Sequence, residues 1–561
     1  MPGSDVPSDS TDISPTPPWR GKKFDGDLPP DSPPVSQTPL WWRLAIAAAV
    51  LVLGLSAYLV RSDSTLRMQS AIGAICLIGL VACLSRDLRS VRWTTVGWGL
   101  GLQILLGIFI LNTELGHGLF ESAASAVKKL IDFNKAGSKL VFGNLENNEQ
   151  MEKGLSLNRG DWQILALNIV GPIIFVSTLF SVLYYFGILQ FVVRLLARGM
   201  MYLLRTSGAE TLSGVANVFM GQTEAPLIVK PYIPGMTKSE LFTMMVGGLA
   251  TISGGMLVVY HSIGASLVAM LTTSVMAAPC ALYLSKLLYP ETEQPQTLGK
   301  VKTDETNPHA NVIDAAASGA SDGMKLAINV LAMLIAFIAM LALMDYLLGR
   351  IATGQSLWQT WTDSSSGMRL LSAITAVIAF VFVCLTANRI IKKFGLPPLQ
   401  KMFGTESFGN IALNGLLLAG LFIVFLLVLS GVLSLLPENL SLGKIFGWLF
   451  SPLAFCMGVR EADLTTIGNL LGIKLAANEF VAFKMLSDMD TVSTRSRRLV
   501  TFALTGFANI GSIGILIGGI GAMAETRRKD LARLGFRALF IGFLVTVINA
   551  AIAGVLLPVT E

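Results

Sequence analysis

Two carboxylates, Glu224 and Glu479, stand inside strongly apolar sequence, each between pieces too short to cross a bilayer. A charged side chain at the bilayer centre costs about 2.5–3.5 kcal/mol even on the lenient insertion scale, so a chain that keeps two must enclose them. The pieces 211–220 and 225–235 are ten and eleven residues long, split by Gln222-Thr223-Glu224. A second apolar segment, 461–487, is split at Asn478-Glu479. Arms of this length read as re-entrant hairpins rather than as straight spans. Each hairpin is followed by a Gly-rich apolar stretch carrying uncharged polar residues. Thr251 lies 27 residues beyond Glu224, and Asn509, with Ser512, lies 30 beyond Glu479. Hairpin then interrupted helix, twice in the same order, is the pattern of an inverted-repeat membrane transporter built around one polar site.

The remainder of the chain agrees with a bilayer setting. It has 561 residues, 53% hydrophobic and only 14% charged, where soluble domains carry about 25% charged residues. Its mean hydropathy is +0.63. The runs 41–60, 93–112, 162–186 and 264–288 are long enough to span about 30 Å of hydrocarbon. A large soluble helical protein is excluded by those runs. The fold class is therefore an all-α polytopic membrane protein. The net charge of +6 comes from Arg and Lys in short loops, which set topology and do not signal nucleic acid. Cys76, Cys83, Cys280, Cys384 and Cys456 all lie in apolar segments and read as core residues. His117, His261 and His309 form no ligand motif.

Residues 1–40 hold ten of the 23 prolines and no apolar run, which reads as a disordered tail. Helices follow near 41–60, 68–84 and 93–112. Arg20, Lys22, Lys23 and Arg43 on one side, and Arg86, Arg89 and Arg92 in the turn at 85–92, place the N-terminus and that turn in the cytoplasm. Arg194, Arg198 and Arg205 mark another cytoplasmic stretch after the span at 162–186. An amphipathic piece near 117–132 belongs on the outer surface. The interrupted segment 242–263 contains Gly247, Gly248, Gly254 and Gly255. Further helices are expected at 326–348, at 369–388 and 411–436 around the basic joint Arg389–Lys393, at 445–457, over the broken segment 499–521, and at 537–558 after the turn Arg527-Arg528-Lys529.

At the first bend, Gln222, Thr223 and Glu224 offer an amide, a hydroxyl and a carboxylate where backbone groups are free and side chains face a cavity. The competing reading is that they only cap two half-helices, and Glu479 carries the same choice. Asn509 and Ser512, three apart, fall on one face of a helix, with Gly506, Gly511 and Gly514 permitting local unwinding or close packing. Asn217 and Thr251 carry uncharged oxygens that, with carbonyls of broken helices, suit a hard cation.

The runs 221–227 (GQTEAPL) with Lys230-Pro231-Tyr232, 478–483 (NEFVAF) and 506–509 (GFAN) with Ser512-Ile513 resemble signature segments of the concentrative nucleoside transporters. Supporting stretches are 314–323 (DAAASGASDG), 452–455 with 457–459, and 549–554. The resemblance covers about 68–350 and 440–559. It implies a homotrimer in the cell (inner) membrane whose protomers carry two re-entrant hairpins and two discontinuous helices, with an elevator-like moving core. It implies uptake of nucleosides of the uridine, cytidine and adenosine class coupled to sodium or, in some members, protons, with sodium as coupling ion and no other cofactor. By the same resemblance, Gln222, Thr223 and Glu224 face the nucleobase with Met256 as an apolar wall. Glu479, Asn509 and Ser512 bind ribose hydroxyls, and Phe507 lines the pocket. Sodium is held by the side chains of Asn217 and Thr251 and the carbonyls of Met220 and Ile252. Gly511 stands where a serine is common in the family, and Thr251 where a serine is also used.

The implied organisation runs from the tail (1–40) through N-terminal helices (41–112), a surface helix and spanning helix of a scaffold (113–206), and hairpin 1 with its broken helix (207–263). Scaffold and trimerisation helices (264–352), an inserted pair of helices (353–440), an interfacial helix with hairpin 2 and its broken helix (441–521), and a C-terminal span (522–561) follow. Neither the inserted pair nor the tail has a counterpart in the resemblance. Sodium is favoured over protons because Asn217 and Thr251 do not take up a proton. A passive channel would need no cation site. An intramembrane enzyme using Glu224 and Glu479 would need a nucleophile, metal or phosphate motif, and the sequence carries none beside them. The expectation is a symporter, not an enzyme.

Overall fold

The computed structural model describes residues 38–146, 165–297, 309–352 and 441–559. The proline-rich tail up to residue 37, Cys384 and the helix pair expected within 353–440 lie outside the described residues. Among the described residues every regular element is a helix. Three helices open the fold: α1 (Leu40–Leu59), α2 (Leu66–Cys83) and α3 (Trp93–Asn112). The amphipathic α4 (Glu114–Phe142) runs past the expected 117–132 at both ends. Thr113 Oγ1 caps its start by accepting from Gly116 N at 3.1 Å, and Gly143 at φ 60° stops it. The span α5 (Leu165–Tyr185) turns by 73° at Gly187 into α6 (Ile188–Leu204), which carries Arg194 and Arg198.

The first repeat begins with α7 (Gly208–Ala216), continues through a 3-10 run (Ala225–Gly235), and ends in α8 (Lys238–Ala250) and α9 (Gly254–Ser262). Two departures from expectation occur here. The second hairpin arm is a 3-10 run rather than an α-helix, because Pro231 and Pro234 remove donors that the interior of an α-helix needs. The interruption falls at 251–253 rather than at the glycines; Gly247 and Gly248 are helical, and Gly254 and Gly255 open the next helix. Beyond these lie α10 (Leu267–Leu288), the long α11 (Val312–Ala352) and α12 (Leu442–Cys456).

The second repeat comprises α13 (Leu464–Ala476), α14 (Glu479–Ser487), α15 (Thr494–Leu504) and α16 (Ile510–Met523). The last helix, α17 (Arg528–Leu556), starts nine residues before 537, so Arg527 is its N-cap, at the end of a 3-10 turn, and Arg528 and Lys529 are its first residues.

Burial sorts these helices. In the apolar window of α8 and α9, 94% of residues are buried, and in those of α10 and α17, 83%. The corresponding figures are 6% for α1 and 11% for α11. Outer helices that turn apolar side chains outward are stable in hydrocarbon, where no hydrophobic penalty attaches to them. Among the described residues, seven helices are long and apolar enough to cross a membrane.

Polar side chains tie early helices to late ones. Gln103 on α3 donates to Asn549 Oδ1 on α17 at 2.6 Å and accepts from Tyr283 on α10 at 2.9 Å. On α2, Gln69 and Ser70 donate to the carbonyls of Phe455 and Met457 at 2.8 and 2.9 Å. Arg495 on α15 donates to the carbonyls of Gly554 and Pro558 at 2.7 and 3.1 Å. Under the first repeat, Lys286 Nζ meets Glu210 at 2.7 Å and Glu291 at 3.2 Å. Glu210 and Glu240 each close a capping box, on Ser207 and Thr237, at the starts of α7 and α8.

Candidate functional site

The two interruptions meet. Phe507 N donates to Thr251 O at 3.1 Å, joining the break of the second repeat to that of the first. Gly506 makes this approach possible: its φ is 154°, and an added methyl group would lie 3.0 Å from Ala250 O and 2.7 Å from Thr546 Cγ2. The first hairpin is bound to the same place, since Gly254 N donates to Phe219 O at 3.1 Å. Four half-helix ends thus converge, with partial negative charge at the ends of α8 and α15 and partial positive charge at the starts of α9 and α16.

On the second repeat the polar groups are mutually bonded. Glu479, the first residue of α14, is buried. Its Oε1 accepts from Tyr260 OH at 2.6 Å and its Oε2 accepts from Asn509 Nδ2 at 3.1 Å. A carboxylate has about four acceptor positions, so about two remain for a ligand. Asn509 is not on a helical face with Ser512, as the spacing suggested; it is the N-cap of α16, and its Oδ1 accepts from Ser512 N at 2.8 Å. The cap and the site role coexist, because oxygen serves the cap and nitrogen serves Glu479. Ser512 is buried in that first turn. Phe507 is half-buried, and a methyl group on Gly511 would lie 3.3 Å from Asn509 Oδ1, with the Met333 and Phe337 side chains of α11 just beyond.

Tyr260, which the sequence reading missed, is fully buried on α9 and stacks on Phe483 with ring centroids 5.0 Å apart. It is the side chain by which the first repeat reaches the carboxylate of the second. The available signal was a lone tyrosine in an otherwise aliphatic half-helix, four residues beyond Met256, which is itself buried.

On the first repeat the acceptors are unfilled. Asn217 caps the end of α7 and is fully buried; its Nδ2 donates to Ser213 O at 2.9 Å, while its Oδ1 is buried without a partner. Thr251 caps α8 and donates through Oγ1 to Gly247 O at 2.9 Å. Asn217 lies against that same turn, 3.3 Å from where a methyl group on Gly247 would sit. Met220 and Ile252 are buried beside these two. Gln222 is buried with its Oε1 unpartnered, and its Cβ lies 3.0 Å from where a methyl group on Gly248 of α8 would sit. Thr223 packs on Gly519 of α16. Glu224 is exposed, and its Oε2 accepts from Gly221 N at 3.1 Å, closing the bend on itself. This bond closes the bend and does not cap the helical run that follows, and Glu224 makes no hydrogen bond to the Glu479 cluster.

Known proteins resemble this chain over most of its length. Residues 269–392 and 365–554 match the family described as Na+ dependent nucleoside transporter C-terminus. Residues 72–145 match its N-terminal counterpart, and 166–267 match a domain described as nucleoside recognition. An uncharacterized transporter of Bacillus subtilis, YutK, is 34% identical over 485 residues, covering 86% of this chain and 98% of the relative. Human sodium/nucleoside cotransporter 1 is 33% identical over 531 residues, covering 91% of this chain and 67% of the relative. Among solved structures, CNTnw in an inward-facing substrate-bound state is 32% identical with a TM-score of 0.68, covering 88% of this chain and 98% of that one. A doubly substituted CNTnw in an outward-facing state gives a TM-score of 0.69 at 32% identity.

Proposed function

The chain belongs to the sodium-dependent, or concentrative, nucleoside transporter family, and from that premise we propose that it carries nucleosides into the cell together with sodium. The observation that carries the sodium part is Asn217 Oδ1, a buried acceptor with no partner at the C-terminal turn of α8. An unpaired buried amide oxygen is costly, and a cation placed there removes the cost. Asn217 and Thr251 supply side-chain oxygens, and Met220 and Ile252 supply carbonyls. Gln222 Oε1, also unfilled, accepts from the nucleobase, with Thr223, Glu224 and Met256 around it. Glu479 offers its free acceptor positions to vicinal ribose hydroxyls, with Asn509, Ser512 and Phe507 completing that side. A site built to bond hydroxyls strongly rejects analogues that lack them.

Transport proceeds by elevator-like movement of the hairpins and broken helices (207–263 and 441–521) against the other helices. The protein is a homotrimer of the cell inner membrane with its N-terminus in the cytoplasm. One inward charge at 100 mV gives about 2.3 kcal/mol, or roughly 50-fold accumulation. The test is uridine uptake into proteoliposomes under separate sodium and pH gradients, with deoxynucleosides as competitors. Sodium-driven accumulation supports the reading; uptake that follows the pH gradient and ignores sodium overturns the coupling in favour of protons.

A further inference from the structure

The second interruption is closed by a threonine in the same way as the first. Thr251 Oγ1 donates to Gly247 O, four residues back, at 2.9 Å, and Thr505 Oγ1 donates to Thr501 O, four residues back, at 2.6 Å. The two threonines close α8 and α15 in the same way, which makes these helix ends counterparts. Each end presents carbonyls with no helical partner and the negative end of a dipole. Each also receives a side chain from the end of the first hairpin arm: Asn217, the C-cap of α7, at α8, and Lys474, in the last turn of α13, at α15.

Lys474 is fully buried. Its ammonium donates to Ala503 O in the last turn of α15 at 2.6 Å and to Thr546 Oγ1 of α17 at 2.9 Å. It lies 5.4 Å from the centroid of the Phe543 ring, within cation–π range. It forms no ion pair within salt-bridge distance among the described residues. A carbonyl and a hydroxyl oxygen at a helix C-terminus are the ligands a hard monovalent cation takes.

We propose that the Lys474 ammonium occupies, at the second interruption, the place that a coupling ion takes at the first. Repeat one recruits a dissolved cation and repeat two carries a tethered one, so the ammonium excludes a second sodium and positions the end of α15 beneath Glu479. This rests on the sodium-coupled reading above.

The experiment measures uridine binding and uptake against sodium for the full chain, for Lys474→Ala and for Lys474→Met, at constant ionic strength balanced with choline. The wild type should show a sodium dependence with a Hill slope of about one. In Lys474→Ala the vacated oxygens should take sodium: binding falls more than about tenfold at low sodium, returns as sodium is raised, and the slope moves toward about two. Lys474→Met fills the space without charge or ligands, so sodium should not restore it although it elutes as the wild-type oligomer. A wild-type slope near two overturns the proposal. So does a Lys474→Ala protein that is monodisperse yet keeps the wild-type sodium curve or stays inactive at all sodium concentrations. If Lys474→Ala does not fold, a Lys474→Met protein with wild-type binding and slope overturns it as well. Wild-type uptake indifferent to sodium would sink the sodium reading itself, whereas a slope of one with unaffected variants sinks only the role of Lys474.

Discussion

The two repeats share a shape and differ in how their polar groups are satisfied. In the second, Glu479 has a partner on each oxygen, Asn509 uses both ends of its amide, and Lys474 is held by two oxygens. In the first, Asn217 Oδ1 and Gln222 Oε1 are buried and empty, and Glu224 lies exposed over its own bend. Buried acceptors without partners cost free energy and persist where a ligand supplies the missing donor or charge. Around Glu479 and Lys474 the second repeat is therefore bonded before any ligand arrives, and around Asn217 and Gln222 the first is completed by what it binds. Preorganised contacts lose less entropy on binding, so the second repeat should dominate affinity and the first should govern ion dependence and base selectivity.

The strongest challenge to that contrast is the pair of carboxylates. Glu479→Gln should weaken nucleoside binding by more than about 100-fold, roughly 3 kcal/mol, because it replaces an acceptor set with a mismatched amide inside a bonded cluster. Glu224→Gln should cost less than about tenfold, since that side chain is exposed and spends one oxygen on its own bend. Calorimetry on both variants decides; equal losses would break the comparison.

Next in size are the two asparagines. Asn509→Ala removes an N-cap and a partner of Glu479, and thermal unfolding should report a loss of about 1–2 kcal/mol. Asn217→Ala should leave stability without sodium within about 0.5 kcal/mol, because the residue has one bond to lose and one unpaired oxygen to shed. Its signature is instead a rise of about tenfold in the sodium needed for half-maximal uptake, about 1.4 kcal/mol of ion binding. Destabilisation by Asn217→Ala with an unchanged sodium requirement would reverse the assignment.

The smallest effect is expected at the bridge between repeats. Tyr260→Phe keeps the stacking on Phe483 and deletes one hydrogen bond to Glu479, so nucleoside affinity should drop about 3- to 10-fold, near 1 kcal/mol. No change at all would mean that Glu479 does not depend on the first repeat.

Much of this architecture was legible in the chain because apolar length and buried charge are strong signals. Arms of about ten residues around Glu224 and Glu479 left few options in a bilayer. What escaped was local or distant. Pro231 and Pro234 argue against an α-helical second arm, a local signal that arm length and apolar content do not carry. Asn509 before an apolar run is an N-cap signal, which the three-residue spacing to Ser512 obscured. The role of Lys474 is set by Ala503 O and Thr546 Oγ1, 29 and 72 positions away, which no local pattern shows. Tyr260 meets Glu479 across 219 positions, a pairing that no periodicity within either segment encodes.

The polar ties between early and late helices also bear on biosynthesis. Gln103 finds Asn549 446 positions later, Gln69 and Ser70 find their carbonyls 386 and 387 positions later, and Arg495 needs the end of α17. Helices that enter the bilayer first must therefore wait there with polar groups uncommitted while most of the chain is still being translated. Until the end of α12 arrives for Gln69 and Ser70, and α17 for Gln103, these bonds are unmade, and quality control has a window on the protein during that interval.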